Sequence, residues 1–579
     1  MKRHSGHRFA QRALSVALLT PVLAFGAGIG SIPAVVQWRT VVNNGDYMPS
    51  ATCVPSAPLP VDPSCRTFNS FNQPSVNKQG LVVFRARSKG GQGVNGPLQG
   101  IYTHDMSIGG TPIVRILDRD TAVPQPNNRG TTFQETPAFP RIDADSSTIV
   151  TRGVHQPVWQ VVGIDGETVS QVGTNGVYAN PNGFLMTAES RLGSLPSFSY
   201  FQVPESPGTA FDIVPGSPAV TAGNIVVFKG NFTEGLVSKT GVYYRYLTNG
   251  PFQMAAKPSL FDASGNRPVV LIANTDDFIP GTLTHFGSTA PPSAAGRNAV
   301  FVGLDNEDNP TLGGIYLASL NGFRTLRTLV SIGDIVPGEL PTERFKALGE
   351  GLSFDGRFVA FWASWGDATQ SLTLQCPQDG NADLVAYCNT QYPNGYTVQV
   401  PVHQGVFVKD IASGATWAVA KSPTNFSDFL YWNFSGHVPG STTEGDDGEP
   451  ARWRSAAFVA SSGLVDGNLA DPQSHVAFKA RTGALTEGAY VNPVDGIYLV
   501  SGPPSPFRPA SPFRAVVTTG MSGTLLDPEA LDPDTQQPLP ITTVGIEREG
   551  LRGNQLVINA SMASGTTSWA GIYQARVRW

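Results

Sequence analysis

The chain has 579 residues, of which 63 are glycine and 47 are proline, and only 14% carry a charge. Together with many Val-Val-Phe and Ile-Tyr clusters, this composition favours an all-β protein built from short strands and many turns. The formal net charge is −5, from 44 acidic and 39 basic residues. Because no run of Lys or Arg occurs beyond the N-terminus, nucleic acid is not an expected partner.

The first 30 residues have the three parts of a secretory signal peptide. Basic residues precede an apolar stretch over 13–27, and small residues follow, with cleavage expected between Gly26 and Gly30. The alternative is an uncleaved membrane anchor over 13–36, which Pro21 and Pro33 argue against. We therefore predict an exported protein, secreted or periplasmic, with residues 31–579 as one domain and no membrane span after signal removal.

The segment QWRTVVNNGDYMP, residues 37–49, has the pattern of a strand closed by a turn, but no partner strand lies near it in the sequence. The segment TLRTLVSIGDIVP, residues 325–337, repeats it without a gap, including a shared Gly-Asp pair and a final proline. The opening segment is therefore one piece of a repeat whose other pieces lie elsewhere in the chain.

Four cysteines form two pairs with equal spacing, each within a loop rich in proline and polar residues. We predict two local disulfides, Cys53 with Cys65 and Cys376 with Cys388, in an oxidising compartment. A zinc site is the alternative, but the chain has no CxxC spacing and no histidine beside either pair.

A Gly-(Ile/Val)-(Tyr/Phe) tripeptide recurs seven times, each time preceded by an apolar run such as LVVFRA at 81–86, and in the units before the last it is followed by another strand. Each unit thus supplies four antiparallel strands that cannot close alone, which is typical of a propeller blade. The tripeptides begin at Gly100, Gly176, Gly241, Gly314, Gly405, Gly496 and Gly571. The fold class predicted from this count is an all-β, seven-bladed β-propeller.

The last unit has too little chain left for a fourth strand, since only QARVRW follows Tyr573. Residues 37–49 have the sequence of that missing strand. We therefore predict that the N-terminal strand pairs with the C-terminal blade, closes the ring and covers two open strand edges.

The stretch SFDGRFVAFWA, residues 353–363, is similar to the Ser-Pro-Asp-Gly…Ile-Ala-Phe signature of TolB-type and WD-repeat-like propeller blades. HVAFKA at 475–480 and IVVFKG at 225–230 match its second half. Phe354 stands where the signature has proline, and the other blades lack the Asp-Gly turn. The resemblance to these exported bacterial repeat proteins implies a propeller fold and carries over no activity.

Chain length is distributed unevenly between the two faces of such a ring. Turns from the first to the second strand and from the third to the fourth are short and share one face. Loops between strands two and three, and between blades, lie on the other face and include 50–72, 364–403, 422–452 and 519–540. Long loops on a rigid scaffold commonly carry binding sites, although each one alone is equally explained as a tolerated insertion. We predict that this long-loop face, centred on blade five, binds the partner.

Aromatic and imidazole side chains in blade five and the loop after it are the candidate ligand-binding residues: Trp362, Trp365, His403 and Trp432. Aromatic rings there would stack on sugars or contact a protein. Packing between blades is the alternative role for an aromatic at a strand end.

The sequence DGNAD at 379–383 places Asp379, Asn381 and Asp383 at alternate positions, the oxygen spacing of calcium loops. Calcium is therefore a possible cofactor. However, Leu384 occupies the position that usually needs glycine, and a solvated turn is the alternative.

The function we predict is a binding module for an extracellular or periplasmic protein or polysaccharide. Enzyme activity is undecided, because the chain has no G-x-S-x-G, H-E-x-x-H or P-loop motif. The alternative function is a hydrolase or lyase at the mouth of the central channel, where residues from several blades would assemble without a linear motif.

Overall fold

Each Gly-(Ile/Val)-(Tyr/Phe) tripeptide lies in the third strand of an antiparallel sheet, and seven such sheets follow one another along the chain. The computed structural model describes residues 36–50, 53, 65–89, 97–127, 131–155, 159–162, 168–172, 175–247, 267–378, 381–436, 438–439, 450–463, 474–502 and 512–578. The predicted signal peptide and its cleavage site lie outside these residues. No helix in the described ranges is long and apolar enough to cross a membrane.

The strands of blades 1 to 4 are, in chain order, Phe68–Phe71, Ser75–Val76, Leu81–Ser88, Gln99–Asp105 and Val114–Asp118; Phe133–Glu135, Arg141–Ile142, Ile149–His155, Asn175–Ala179 and Met186–Ser190; Ala219–Thr221, Ile225–Glu234, Val237–Tyr246 and Val270–Asn274; Ser288–Thr289, Ser293–Ala295, Asn298–Leu304, Gly313–Ser319 and Leu326–Ser331. Where a blade has five, the first two are pieces of one inner strand, since both pair with the next strand.

The strands of blades 5 to 7 are Phe345–Leu348, Ser353–Phe354, Phe358–Leu374, Tyr396–Asp410 and Thr416–Lys421; Val459–Ser462, Ser474–Thr486, Ala489–Gly502 and Arg514–Thr518; Ile541–Gly545, Leu551–Arg552, Gln555–Ser564, Thr567–Arg576 and Trp38–Asn43. Two further hairpins pair Trp159–Val162 with Thr168–Val172 and Leu430–Ser435 with Arg452–Ala457. The α-helix of the described residues is Ala382–Gln391, and 3₁₀ turns are Pro181–Gly183, Arg191–Ser194, Pro196–Phe201 and Gly523–Leu525.

The inner strands of the blades form a closed ring. Each contacts the inner strand of the next blade, and Leu551–Arg552 of blade 7 contacts Ser75–Val76 of blade 1. Seven sheets joined in this way are a seven-bladed β-propeller, so the predicted fold class is confirmed.

The N-terminal strand closes the ring as predicted. Trp38–Asn43 pairs antiparallel with the third strand of blade 7, with Trp38 opposite Ala575 and Asn43 opposite Gly571. The Gly-Asp pair that follows is a turn, in which Asp46 Oδ2 accepts a hydrogen bond of 2.9 Å from Asn43 N–H. Asp334 accepts the same bond, at 2.8 Å, in the repeat of this segment. The repeated sequence thus encodes the end of an outer strand.

The tripeptide is explained by a bulge that recurs in every blade. The pairing register between third and outer strands shifts at this point, for example between Ile315 and Tyr316. A Cβ on Gly314 would lie 2.1 Å from Val330 O of the outer strand, so only glycine fits there. The Tyr or Phe that follows is buried, and in blades 1 to 6 it packs edge-on against a phenylalanine, as Tyr316 does against Phe286 at 5.4 Å.

Candidate functional site

The longest connections on the long-loop face combine into a small accessory layer above blades 5 and 6, which we call the cap. Its first part is the blade 5 hairpin, whose pairing resumes after a bulge at Thr369 opposite Pro401 and continues to Leu374 opposite Tyr396. Its second part is the hairpin of Leu430–Ser435 with Arg452–Ala457. Its third part is the end of the blade 6 hairpin, where Thr486 pairs with Ala489.

The three parts of the cap share a hydrophobic core that is separate from the core clusters of the blades. Its buried members are Leu372, Leu374 and Val400, and the side chains packed against them are Val398, Trp432, Trp453, Leu485 and Tyr490. Thr373 N–H also donates to Gly488 O at 2.8 Å, which joins the blade 5 hairpin to the tip of the blade 6 hairpin. The cap is therefore a packed layer rather than a set of independent loops.

A disulfide and a short helix complete the cap, and the predicted pairing of all four cysteines is confirmed. Cys376 is bonded to Cys388 in the helix Ala382–Gln391, and Cys53 is bonded to Cys65. Cys388 is fully buried and packs with Phe434 and Trp453. The bond thus fixes the helix against the second hairpin of the cap.

The possible calcium ligands lie at the start of this helix. Asn381 is its N-cap, and its Oδ1 accepts from the backbone N–H groups of Asp383, at 3.0 Å, and Leu384, at 3.3 Å. A cation bound to this oxygen would compete with the two N-cap hydrogen bonds of the helix. Asp383 is exposed, and Asp379 lies outside the described residues. In the described part of the chain no group of three or more His, Cys, Asp or Glu side chains has the arrangement of a metal site. Calcium binding stays a prediction.

The predicted ligand-binding aromatics occupy different environments. Trp362 is 7% exposed and donates from Nε1 to Gln404 Oε1 at 2.9 Å, and Trp365 is 3% exposed and stacks on His403. Both indoles pack in the core between blades. Trp432 is partly buried in the cap, and its buried Nε1–H has no hydrogen-bond partner in the described part of the chain. Their binding role stays a prediction.

A polar network joins the cap to the seam between blades 5 and 6. Gln404 Nε2 donates to Asp428 Oδ1 at 2.8 Å, and Tyr490 OH donates to the other oxygen of that carboxylate. Arg481 forms two hydrogen bonds with Asp495, at 2.7 and 3.1 Å. Desolvation lowers the pKa of Lys479, whose Nζ lies 3.7 Å from the centroid of the Tyr431 ring, to about 8. The network fixes the cap's orientation on the ring.

Buried ion pairs lie at the centre of the ring, and they were not predicted from the sequence. Arg141 of the blade 2 inner strand pairs with Glu547, at 3.0 Å, and with Glu549, both from the segment that precedes the last inner strand of blade 7. Desolvation raises the pKa of Glu547, but the attraction of Arg141 and Arg548 outweighs it and leaves that pKa below its ordinary value.

The same segment of blade 7 also contacts blades 4, 5 and 6. Arg548 donates to the carbonyl oxygens of Pro291 and Pro292, at 3.3 and 3.2 Å, and Arg552 donates to those of Ser461 and Phe354, at 3.0 and 3.3 Å. The sequence feature that could have predicted these contacts is GIEREGLRGN at 545–554, whose charged residues stand where most other blades have small residues or proline. The segment joins blades on opposite sides of the ring.

No protein-family model and no curated protein matches the chain. Among solved structures, it is similar to Drosophila Semaphorin 2a, with a TM-score of 0.30 and 9% identity over 95% of this chain and 76% of that one. It is also similar to the Nup133 β-propeller domain of Vanderwaltozyma polyspora, with a TM-score of 0.24 and 7% identity over 83% of this chain and 91% of that one. A third is fructan 1-exohydrolase IIa from Cichorium intybus, with a TM-score of 0.19 and 10% identity over 93% and 94%. At these TM-scores the likeness carries no argument about function.

Proposed function

We propose that the protein is an exported binding module that recognises a protein or polysaccharide through its long-loop face, with the cap above blades 5 and 6 as the recognition element. The observation that carries this proposal is the cap itself. It has its own hydrophobic core and its own disulfide, whereas the ring closes through inner strands and the N-terminal strand. Because ring closure does not depend on the cap, the residues of the cap are available for recognition of a partner.

The chemistry of the cap surface fits a protein or a polysaccharide. Tyr396 is 40% exposed and its ring lies 4.9 Å from that of Tyr392, centroid to centroid. Exposed tyrosines on a fixed ribbon give large contact area at low entropic cost. The disulfides fit the proposed export, because such bonds persist in oxidising compartments.

An active site at the central channel is not favoured. Inner strands and the ion pairs of Arg141, Arg548 and Arg552 occupy the centre. Arg141 is paired with the carboxylates of Glu547 and Glu549, and terminal guanidinium nitrogens of Arg548 and Arg552 donate to backbone carbonyl groups of other blades.

The test begins with a glycan array and a pull-down using the intact mature protein. A shortened variant then replaces residues 375–395 with an Asn-Gly turn joining Leu374 to Tyr396, which already pair. Removing the whole of 368–401 would be less informative, because Leu372 and Val400 cover Trp432, Leu485 and Tyr490.

We expect the shortened variant and Tyr396→Ala to bind the identified partner at least about tenfold more weakly with the ring still folded. The matched control is Leu236→Ala, a fully exposed apolar residue at the tip of the blade 3 hairpin, which is expected to bind normally. Full affinity in the shortened variant would place recognition elsewhere.

A further inference from the structure

A cleft of about 780 Å³ lies at the seam where blade 7 meets blade 1. Three carboxylates line it: Asp46 from the turn after the N-terminal strand, and Asp527 and Glu529 from the connection that enters blade 7. Tyr47 and Pro112 form part of its wall. We call it the closure cleft.

The ring contains an equivalent cleft, of about 360 Å³, at the seam between blades 3 and 4. Asp277 corresponds to Asp46, because each accepts a 2.9 Å hydrogen bond from the backbone N–H three residues earlier, at the end of an outer strand. Phe278 then corresponds to Tyr47. The repeat therefore allows the two clefts to be compared position by position.

In the cleft between blades 3 and 4, the protein supplies its own cation. The guanidinium of Arg324 pairs with Glu205 at 2.7 Å and with Asp277. Glu205 lies in the connection that enters blade 3, as Glu529 lies in the one that enters blade 7. Arg324 stands two residues before the outer strand Leu326–Ser331 of blade 4.

In the closure cleft that cation is missing. The position two residues before the outer strand Val114–Asp118 of blade 1 is Pro112. No Lys or Arg among the described residues forms an ion pair with Asp46, Asp527 or Glu529. Residues 51–64, which follow the Asp46 turn, contain no Lys or Arg. Asp527 is buried, and its Oδ2 already accepts hydrogen bonds from Asn43 Nδ2 at 2.9 Å and from Trp569 Nε1 at 3.1 Å. Asp46 and Glu529 are thus present without the guanidinium that their counterparts Asp277 and Glu205 bind.

The electrostatics of the cleft agree with this comparison. Desolvation raises the pKa of Asp46, and the charges of Glu529 and Asp527 raise it further, whereas the Asn43 N–H bond and His104 oppose the shift. The His104 ring is held by the backbone, with Nδ1 2.5 Å from Val41 O and Nε2 2.9 Å from Thr111 O. A cation placed between the carboxylates would relieve their mutual repulsion.

We infer that the closure cleft binds the guanidinium group of an arginine side chain presented by a protein partner, in the place that Arg324 fills between blades 3 and 4. This inference goes beyond the proposed function, because the cleft is separate from the cap and its test needs no knowledge of what the cap binds.

The test measures binding of the peptide acetyl-Gly-Arg-Gly-amide by calorimetry, with the citrulline peptide as the uncharged control. We expect a dissociation constant near or below about 1 mM for the arginine peptide and at least tenfold weaker binding of the citrulline peptide. Free arginine amide is measured in parallel. Equal affinity for the amide and the peptide would contradict a protein source, and no binding of any of them at about 10 mM would overturn the inference.

Three variants locate the site. Glu529→Gln, at an exposed side chain, is expected to weaken peptide binding at least fivefold without loss of folding. Pro112→Arg places an arginine in blade 1 at the position that corresponds to Arg324 of blade 4, and is expected to block binding of the peptide. Arg324→Ala opens the equivalent cleft and is expected to raise the stoichiometry from one to two. Unchanged binding in both Glu529→Gln and Pro112→Arg would overturn the inference, and an unchanged stoichiometry in Arg324→Ala would contradict the equivalence of the two clefts.

Discussion

The ring and the cap are stabilised in different ways. In the ring, each blade repeats one bulge and one buried aromatic, and the charged segment of blade 7 contacts several blades at once. In the cap, three hairpins share a small core and one disulfide. Their core lies within blades 5 and 6 and the connection between them, and one exposed ion pair, of Arg452 with Glu307 at 3.1 Å, reaches blade 4. A substitution in the ring is therefore expected to destabilise several blades, whereas a substitution in the cap is expected to act mainly on blades 5 and 6.

Removing the N-terminal strand is expected to have the largest effect. A chain that begins at Asn44 loses the outer strand of blade 7 and the buried side chains of Val41 and Val42. The outer edge of the third strand of blade 7 becomes exposed, so we expect aggregation or a fall in melting temperature of more than about 10 °C. The control chain begins at Val36 and keeps the strand. A monomeric Asn44 chain with the control's melting temperature would show that closure does not depend on this strand.

Replacement of Arg141 tests the centre of the ring. Arg141→Met leaves Glu547 and Glu549 buried without their partner, and we expect a loss of about 3–5 kcal/mol in the free energy of unfolding, measured with urea. Adding Glu547→Gln and Glu549→Gln is expected to restore part of that loss.

The control for Arg141 is Lys346→Met, at the exposed pair of Lys346 with Asp367, where at most about 1 kcal/mol is expected. If Arg141→Met costs no more than this control, the central ion pairs do not stabilise the ring.

Removal of the Cys376–Cys388 bond tests whether the cap can be destabilised without destabilising the blades. On the chain-entropy model, a loop of this length contributes roughly 3 kcal/mol to the segment that it closes. We expect the double variant Cys376→Ser/Cys388→Ser to lose hydrogen-exchange protection in residues 381–395 and in the cap hairpins, while the blades keep theirs. A loss of protection spread equally over blades 1 to 3 would contradict the separation of cap and ring.

The smallest expected effect lies within the ring, at Glu189 of blade 2. This carboxyl group is fully buried, neither oxygen has a hydrogen-bond partner among the described residues, and desolvation raises its pKa from 4.5 to about 8. The folded protein therefore retains a proton that the unfolded chain releases. The stability that the protonated carboxyl group of Glu189 contributes is fully present below pH 4.5 and is lost as the pH rises through about 8.

We expect Glu189→Gln to remove this pH dependence. At pH 8 the variant should be about 1–3 kcal/mol more stable than the parent protein, with a smaller difference at pH 5, both measured with urea. An identical difference at the two pH values would show that Glu189 is not protonated in the folded protein.

The features predicted most reliably from sequence are those that recur. The tripeptide marks the third strand of every blade because glycine is required opposite the bulge, as at Gly314 against Val330 O. The Asp46 turn was visible through its copy at Asp334. The disulfide partners followed from two pairs of equal separation.

The features missed from sequence occur once. Within the described ranges, the hairpin of Leu430–Ser435 with Arg452–Ala457 and the 3₁₀ turns between Arg191 and Phe201 have no counterpart in other blades. Sequence also left open whether Trp362 and Trp365 pack between blades or are exposed, because periodicity does not distinguish a buried indole at a strand end from an exposed one; the structure buries both.

The blade count, the order of strands and the closure of the ring could be predicted from sequence, since these depend on local hydrogen-bonding patterns repeated along the chain. Which distant side chains meet became known from the packing of the blades. Arg141 and Glu549 lie 408 residues apart in sequence and yet form one ion pair. Asp46 and Asp527, near opposite ends of the chain, line the same cleft. A ring brings its first and last blades together, so its centre and its closure seam combine residues that no local pattern connects.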